Sequence, residues 1–278
     1  MSIVTFYNDR KEQTGKTLSI AAIATQMAIE HNYKILVIST GYKDFALERC
    51  FWEPKTKKRN LGLFGPNTNV AIEDGLESAA RAMKSNRLTP ENIVNYTKII
   101  FKERLEVMQS FKGEEKEYRE LADIYPDIIN LANKHYDIVL VDLDLSVPKE
   151  IRETILSNTN LLVINLSQRL SSINAFMKER EENPILQSKK VLLLINRYDR
   201  YSKYTIKNIT RYMGEKNKVS TIPYNTLFFE ACEEAKVADL FLKIRKVDED
   251  DRNGFFLSEV RRTTENIIYR LQDLAMKL

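Results

Sequence analysis

The chain of 278 residues is poor in glycine and proline, eight and seven residues, too few for a low-complexity chain or an all-β fold that turns after every strand. It has two cysteines, Cys50 and Cys232, far apart and without metal-ligand spacing, and two histidines, His31 and His135, each ending a helical stretch. That poverty argues against a zinc site and against a histidine-based catalytic triad. No apolar run approaches the length of a membrane span and no secretory leader precedes the first apolar run, so a cytoplasmic chain is expected. A strong charge of either sign is also missing: 43 basic against 39 acidic residues leave a net +4. The one basic run, KTKKR at 55–59, reads as a solvated loop. Such mild basicity is compatible with weak nonspecific DNA or anionic-lipid contact without requiring either.

What the chain does have is a regular alternation. Hydrophobic residues make up 43%, enough for a sizeable core. Near-continuous Val/Ile/Leu runs occur around Ile3–Phe6 and at 33–40, 136–146, 160–167 and 189–199, with a shorter, more polar one at 218–225. Helical segments separate them. Runs of this kind are buried on both faces, which predicts an α/β fold of three layers, α/β/α, around a mostly parallel central sheet. Ligands of such sheets bind at the carboxyl ends of the strands.

Residues 73–135 depart from this rhythm. The stretch TPENIVNYTKIIFKERLEVMQSF opens at Thr89 and Pro90 and places Ile93, Ile100, Phe101, Leu105 and Met108 at helical spacing; a second stretch is interrupted by Pro126. The expectation is a helical elaboration on one domain spanning 1–278, because no Gly, Ser or Pro linker flanks it. A C-terminal helix over 255–278 carries Val260, Ile267, Leu271, Leu274 and Leu278 near one face. Its polar face mixes Glu259, Glu265 and Asp273 with arginines, which favours packing on the sheet over lying on a membrane.

The most informative residues lie near the start, in YNDRKEQTGKTLSIAAIATQMA. Gly15-Lys16-Thr17 follows the first apolar run and opens a helical pattern, the setting of a phosphate-binding loop. Gly15 allows the backbone close to an anion, Lys16 reaches β and γ oxygens, and the Thr17 hydroxyl ligates Mg²⁺. The first glycine of the usual loop pattern would fall at position 10, which is Arg10. Asp142 ends the DIVLVD run, where a carboxylate beside that loop holds Mg²⁺ through a water. Asn196-Arg197 ends VLLLINR and offers an amide to a purine edge. Asp44, Asp144 and Asp199 sit near other strand ends with weaker claims.

KEQTGKT resembles the deviant Walker A motif of ParA/MinD-type P-loop ATPases of the SIMIBI class, with Lys11 as signature lysine and Lys16 as P-loop lysine. YDIVLVD resembles their Walker B strand, and KVLLLINRYD and VSTIPYNTLFFEA resemble their adenine-side segments. The likeness spans residues 1 to about 245, least in 73–135, and within the family it is nearest the TadZ/CpaE-like branch that localises pilus-assembly machinery. It implies ATP and Mg²⁺ as cofactors, contacts from Thr14, Leu18 and Pro223 beside the residues above, and Lys11, Lys16 and Asp142 as the catalytic set. It further implies an ATP-dependent homodimer joined across Lys11, and a protein partner that stimulates or reads it. An N-terminal receiver-like domain or DNA-binding arm is not expected. Two departures stand out. Glu12 and Gln13 replace glycines, and Ser39 and Gly41 replace the D-x-D that ends the second strand, so binding is expected with slow hydrolysis at most. The alternatives are a nucleotide-bound scaffold without turnover and a metabolic P-loop enzyme, the latter leaving Lys11 without a task.

Overall fold

The computed structural model describes residues 1–8, 13–53, 75–188, 190–215, 219–248 and 250–276. Lys11 and the basic run at 55–59 lie outside the described residues. In chain order the elements begin with β1 (Ser2–Tyr7), α1 (Lys16–Glu30), β2 (Ile35–Ser39), α2 (Ala46–Arg49) and α3 (Leu76–Lys84). Next come β3 (Lys98–Phe101), β4 (Leu105–Met108), α4 (Glu115–Leu121), α5 (Tyr125–Ala132), β5 (Ile138–Asp142) and α6 (Lys149–Asn158). Then follow β6 (Leu161–Ser167), α7 (Leu170–Glu182), β7 (Val191–Tyr198), α8 (Ile206–Met213) and β8 (Ser220–Pro223). The chain closes with α9 (Thr226–Glu233), α10 (Val237–Ile244) and α11 (Gly254–Ala275).

The strands form one eight-stranded sheet in the order β3-β4-β2-β5-β1-β6-β7-β8, parallel except for β3 against β4. Every apolar run expected as a strand is one. Alternation along each strand feeds two cores, one per face. On β5, Val139 and Val141 join the core with α3, α5, α6 and α7, whereas Ile138 and Leu140 join the core with α1, α9, α10 and α11. On β1, Ile3 and Tyr7 go to the first core and Val4 and Phe6 to the second. The same parity sends the next β5 side chain, Asp142, to the α1 face. Its neighbours in register are Phe6 and Ser39.

α11 lies on the sheet as expected, with Val260, Ile267 and Leu271 buried in the α1-side core. No described helix is long and apolar enough to cross a membrane.

The helical expectation for 73–135 needs one correction. α3, α4 and α5 are helices, but residues 98–108 form an antiparallel hairpin that extends the sheet past β2. Lys102, Glu103 and Arg104 form the turn, with Glu103 at φ 59°. KIIF and LEVM flank it with β-favouring residues. Glu106 is buried in β4 because its carboxylate accepts the Thr97 and Tyr136 hydroxyls, each at 2.6 Å. Residues Thr89 and Asn92 do make a capping pair, but it starts only a 3₁₀ turn at Ile93–Tyr96.

Candidate functional site

At the carboxyl ends of β1, β2, β5 and β7 a cleft of about 660 Å³ opens over the N-terminus of α1. The sequence builds it in a few steps. Gly15 adopts φ 86°, ψ 17° as the residue that caps α1. A Cβ at Gly15 would stand 3.3 Å from the Arg197 Nε and 3.8 Å from the Asn196 Cβ. Glycine is therefore required twice, for its left-handed backbone and for room. The first turn of α1 then points Lys16 and Thr17 at the end of β5.

Those two residues converge on one carboxylate. Lys16 Nζ pairs with Asp142 Oδ1 at 2.7 Å and donates to the Leu143 carbonyl; Thr17 Oγ1 donates to Asp142 Oδ2 at 2.7 Å. Asp142 is only 4% exposed, and its Oδ1 has no partner besides the Lys16 ammonium. A buried carboxylate oxygen with one ionic neighbour beside a threonine hydroxyl fits the oxygen-only preferences of Mg²⁺.

The β2 side supplies two more acids. After Ser39 the chain turns over Thr40, whose hydroxyl donates to the Asp142 carbonyl and accepts the Asp144 N–H. Gly41 then lets the loop fold back until Asp44 and Asp144 crowd the place its side chain would take, at 2.9 and 3.7 Å from the two Cβ atoms. Asp44 thus lies in the cleft with Asp144. The Ala46 N–H fixes the Asp44 Oδ1 at 3.0 Å. Burial pushes the Asp44 carboxyl up from the ordinary aspartate range, and the charges of Asp142 and Asp144 push the same way, against the Ala46 N–H and Lys16. Tyr118 of α4 reaches this loop, its hydroxyl 2.8 Å from both the Thr40 carbonyl and the Ser146 hydroxyl. The 73–135 block therefore braces the site.

The remaining expected residues separate. Thr14 and Leu18 line the cleft beside Gly15, Lys16 and Thr17. Arg197 is exposed at φ 51° and lines the cleft beside Gly15. Asn196 is 1% exposed, and its amide is already spent: its Oδ1 accepts the Ser19 hydroxyl at 2.6 Å and its Nδ2 donates to Asn165 at 2.9 Å. The purine contact expected of it is not available in this arrangement; Asn196 ties α1 to β7 and β6 instead. Pro223 is buried at the end of β8, and the wall beyond it comes from Phe229 and Glu233 of α9. Sequence reasoning did not single out those two, although Asn225, which caps α9 by accepting the Phe228 N–H at 2.8 Å, marks a helix starting at a strand's carboxyl end. Asp199 lies outside the cleft lining.

No protein-family model and no curated protein matches the chain. Solved structures do. A ParA family ATPase from Chlorobium tepidum superposes with a TM-score of 0.67 at 16% identity, over 95% of this chain and 98% of its own. The septum site-determining protein MinD from Pyrococcus horikoshii, complexed with Mg-ADP, gives 0.63 at 14% identity over 96% and 97%. A McdA variant from Cyanothece in complex with ATP gives 0.65 at 12% identity over 96% of each chain. The chain has the fold of the ParA/MinD-type ATPases along nearly its whole length.

Proposed function

We propose that the protein binds ATP with Mg²⁺ and uses it to control a homodimer that positions a cellular cargo. The observation that carries this reading is the convergence of Lys16 and Thr17 on the buried Asp142 at the foot of α1. Gly15 and the α1 N-terminus present backbone N–H groups to the phosphates. Lys16 holds the β and γ oxygens, and Thr17 with Asp142 holds Mg²⁺, which when bound offsets phosphate charge. Thr14 and Leu18 close the phosphate side, while Arg197 and Phe229 wall the nucleoside side and Pro223 fixes the turn into α9. The bound states of the MinD and McdA structures that share the fold support the choice of ligand.

Assembly rests on two supports. Lys11 matches the lysine that crosses such dimers, and the α9 region leaves Tyr224, Leu227 and Phe229 exposed by 58%, 39% and 42%, with Phe229 lining the cleft. Apolar area beside a nucleotide site suits a second copy. Within this reading the finer assignment is a cytoplasmic cargo, either pilus or secretion machinery, as in the TadZ/CpaE-like branch, or a plasmid or chromosome, with a protein partner stimulating or reading the dimer. Ser39 and Gly41 where acids are usual favour a second reading, an ATP-bound scaffold with negligible turnover.

Calorimetric titration tests the first step. Wild type is expected to bind ATP·Mg²⁺ and Lys16→Ala to lose it; unchanged affinity in that variant ends the assignment. Light scattering with a slowly hydrolysed ATP analogue tests the second, with Lys11→Ala expected to bind nucleotide yet remain monomeric.

A further inference from the structure

The stretch that breaks the parallel rhythm of the sheet reaches the cleft through one buried side chain. Tyr118 of α4 places its hydroxyl 2.8 Å from the Thr40 carbonyl and 2.8 Å from the Ser146 hydroxyl. A carbonyl only accepts, so the phenol donates to Thr40 and accepts from Ser146. One group thereby joins the loop after β2 to the loop after β5. These are the loops that bring Asp44 and Asp144 into the cleft.

Both contacts continue toward those acids. Ser146 Oγ accepts the Tyr42 N–H at 3.3 Å, and the Ser146 N–H donates to Asp144 Oδ1 at 2.8 Å. From the same side, the Phe111 N–H donates to the Gly41 carbonyl at 3.3 Å and the Lys43 N–H to the Phe111 carbonyl at 2.9 Å. Each acid is turned onto its own loop, Asp144 onto the Ser146 N–H and Asp44 onto the Ala46 N–H. The Tyr118 ring has packing of its own, against Tyr42, Phe111 and Tyr125 at centroid distances of 5.2, 5.4 and 5.9 Å. Tyr125 supplies the contrast: its hydroxyl is buried in the same cluster with no hydrogen-bond partner among the described residues. One phenol is tied to the cleft loops and its neighbour is not.

We propose that the Tyr118 hydroxyl is a positioning group that lets the cleft tell ATP from ADP. This role presupposes the ATP-binding reading. The two nucleotides differ by one phosphate, and the Lys16 ammonium that would hold it already meets Asp142 and the Leu143 carbonyl, where the β5 loop begins. The added charge therefore falls on the side of Asp44 and Asp144. Held loops keep both carboxylates on their own N–H groups. Loose loops free them to oppose that charge, and have to be ordered again when ATP binds. ADP, held by Gly15, Lys16 and Thr17, is indifferent to the change.

Calorimetric titration with a slowly hydrolysed ATP analogue and with ADP, each with Mg²⁺, tests this on wild type and three single variants. Tyr118→Phe keeps the ring and is expected to weaken the analogue by about threefold to tenfold, the worth of one net hydrogen bond, with ADP affinity unchanged. Ser146→Ala, which removes the other end of the contact, is expected to shift the ratio the same way, and the double variant no further than the larger single. Tyr125→Phe, a matched change in the same cluster, should leave the ratio at the wild-type value. The proposal falls if Tyr118→Phe and Ser146→Ala leave the ratio unchanged, if they weaken both nucleotides alike, or if Tyr125→Phe shifts the ratio as much. Should Tyr118→Phe fail to fold, Ser146→Ala decides alone. Wild type that binds neither nucleotide ends the ATP-binding reading together with this role, whereas wild type that binds both, with the ratio unmoved in the variants, ends this role only.

Discussion

Lys16 spends its charge on Asp142, 2.7 Å away, rather than on open solvent, and Thr17 holds the other oxygen of the same carboxylate. The cleft around them is rich in acid: Asp44, Asp142, Asp144 and Glu233 face Lys16 and Arg197. A polyphosphate entering it meets net negative charge, so a divalent cation is a requirement of the electrostatics as well as of the chemistry.

The first prediction follows from that imbalance. Removing Mg²⁺ with a chelator is expected to weaken ATP binding by roughly tenfold to a hundredfold, the range of one charged interaction lost. Thr17→Ala should lose a similar amount and become insensitive to Mg²⁺. Calorimetry with and without chelator measures both, and equal affinity in the two buffers would show that the acids do not oppose the ligand.

Gly15 supplies the second. Alanine there must hold φ 86° and bring its Cβ within 3.3 Å of the Arg197 Nε. The left-handed backbone costs about 1–2 kcal/mol for an L-residue, which lowers the melting temperature by roughly 2–8 °C in a chain of this size. Adding Arg197→Ala removes the contact and leaves φ untouched, so it should recover only part of the loss. Full recovery in the double variant would assign the whole requirement to crowding.

The parts of this molecule legible from sequence were those with one physical cause. Buried parallel strands must be apolar on both faces, so β1, β2, β5, β6 and β7 announce themselves, and the glycine-capped start of α1 beyond β1 follows from strand, glycine and helix in series. The β3–β4 hairpin hid because Ile100, Phe101, Leu105 and Met108 satisfy helical spacing as well as strand placement. Asn196 was legible as important but not in its role, because sequence does not tell that Ser19 and Asn165 would claim its amide. Asp44 was a matter of loop path, settled by Gly41 having no side chain to keep it out.

Asp44 yields a pH prediction. Its carboxyl is pushed up in the folded protein, chiefly by burial and then by Asp142 and Asp144. A raised pKa means the fold favours the protonated form, so this group's stabilising contribution is present below the unfolded aspartate value and is lost as pH rises through the folded one. Asp44→Asn removes the titration while keeping an acceptor for the Ala46 N–H. In chelator-treated apo protein, the variant should melt higher than wild type at neutral pH, with the gap closing as pH falls below the ordinary aspartate range. A gap that is the same at both ends would mean the substitution acts through packing.

Turnover is the last prediction, and Gly41 decides it. Hydrolysis requires a group that holds water in line with the γ-phosphate, and the end of β2 offers Ser39 and Gly41 where that group would stand. Loss of one positioning group costs about 10²–10⁴ in rate, and switch NTPases are slow unaided even when intact. The purified protein is therefore expected to turn over ATP on the order of once in many minutes or slower. Restoring an acid by Gly41→Asp should not help, because its Cβ would meet the Asp44 Cβ at 2.9 Å. Whatever rate remains should depend on Asp44 or Asp144, the two cleft acids that crowd Gly41, so Asp44→Ala and Asp144→Ala are to be measured in turn, with Lys16→Ala as the blank. A wild-type rate of about 1 s⁻¹ or faster, ordinary for an enzyme, would overturn the view that this cleft is built to hold ATP longer than it cuts it, and the carboxylate whose removal abolished that rate would be the missing water-positioning group.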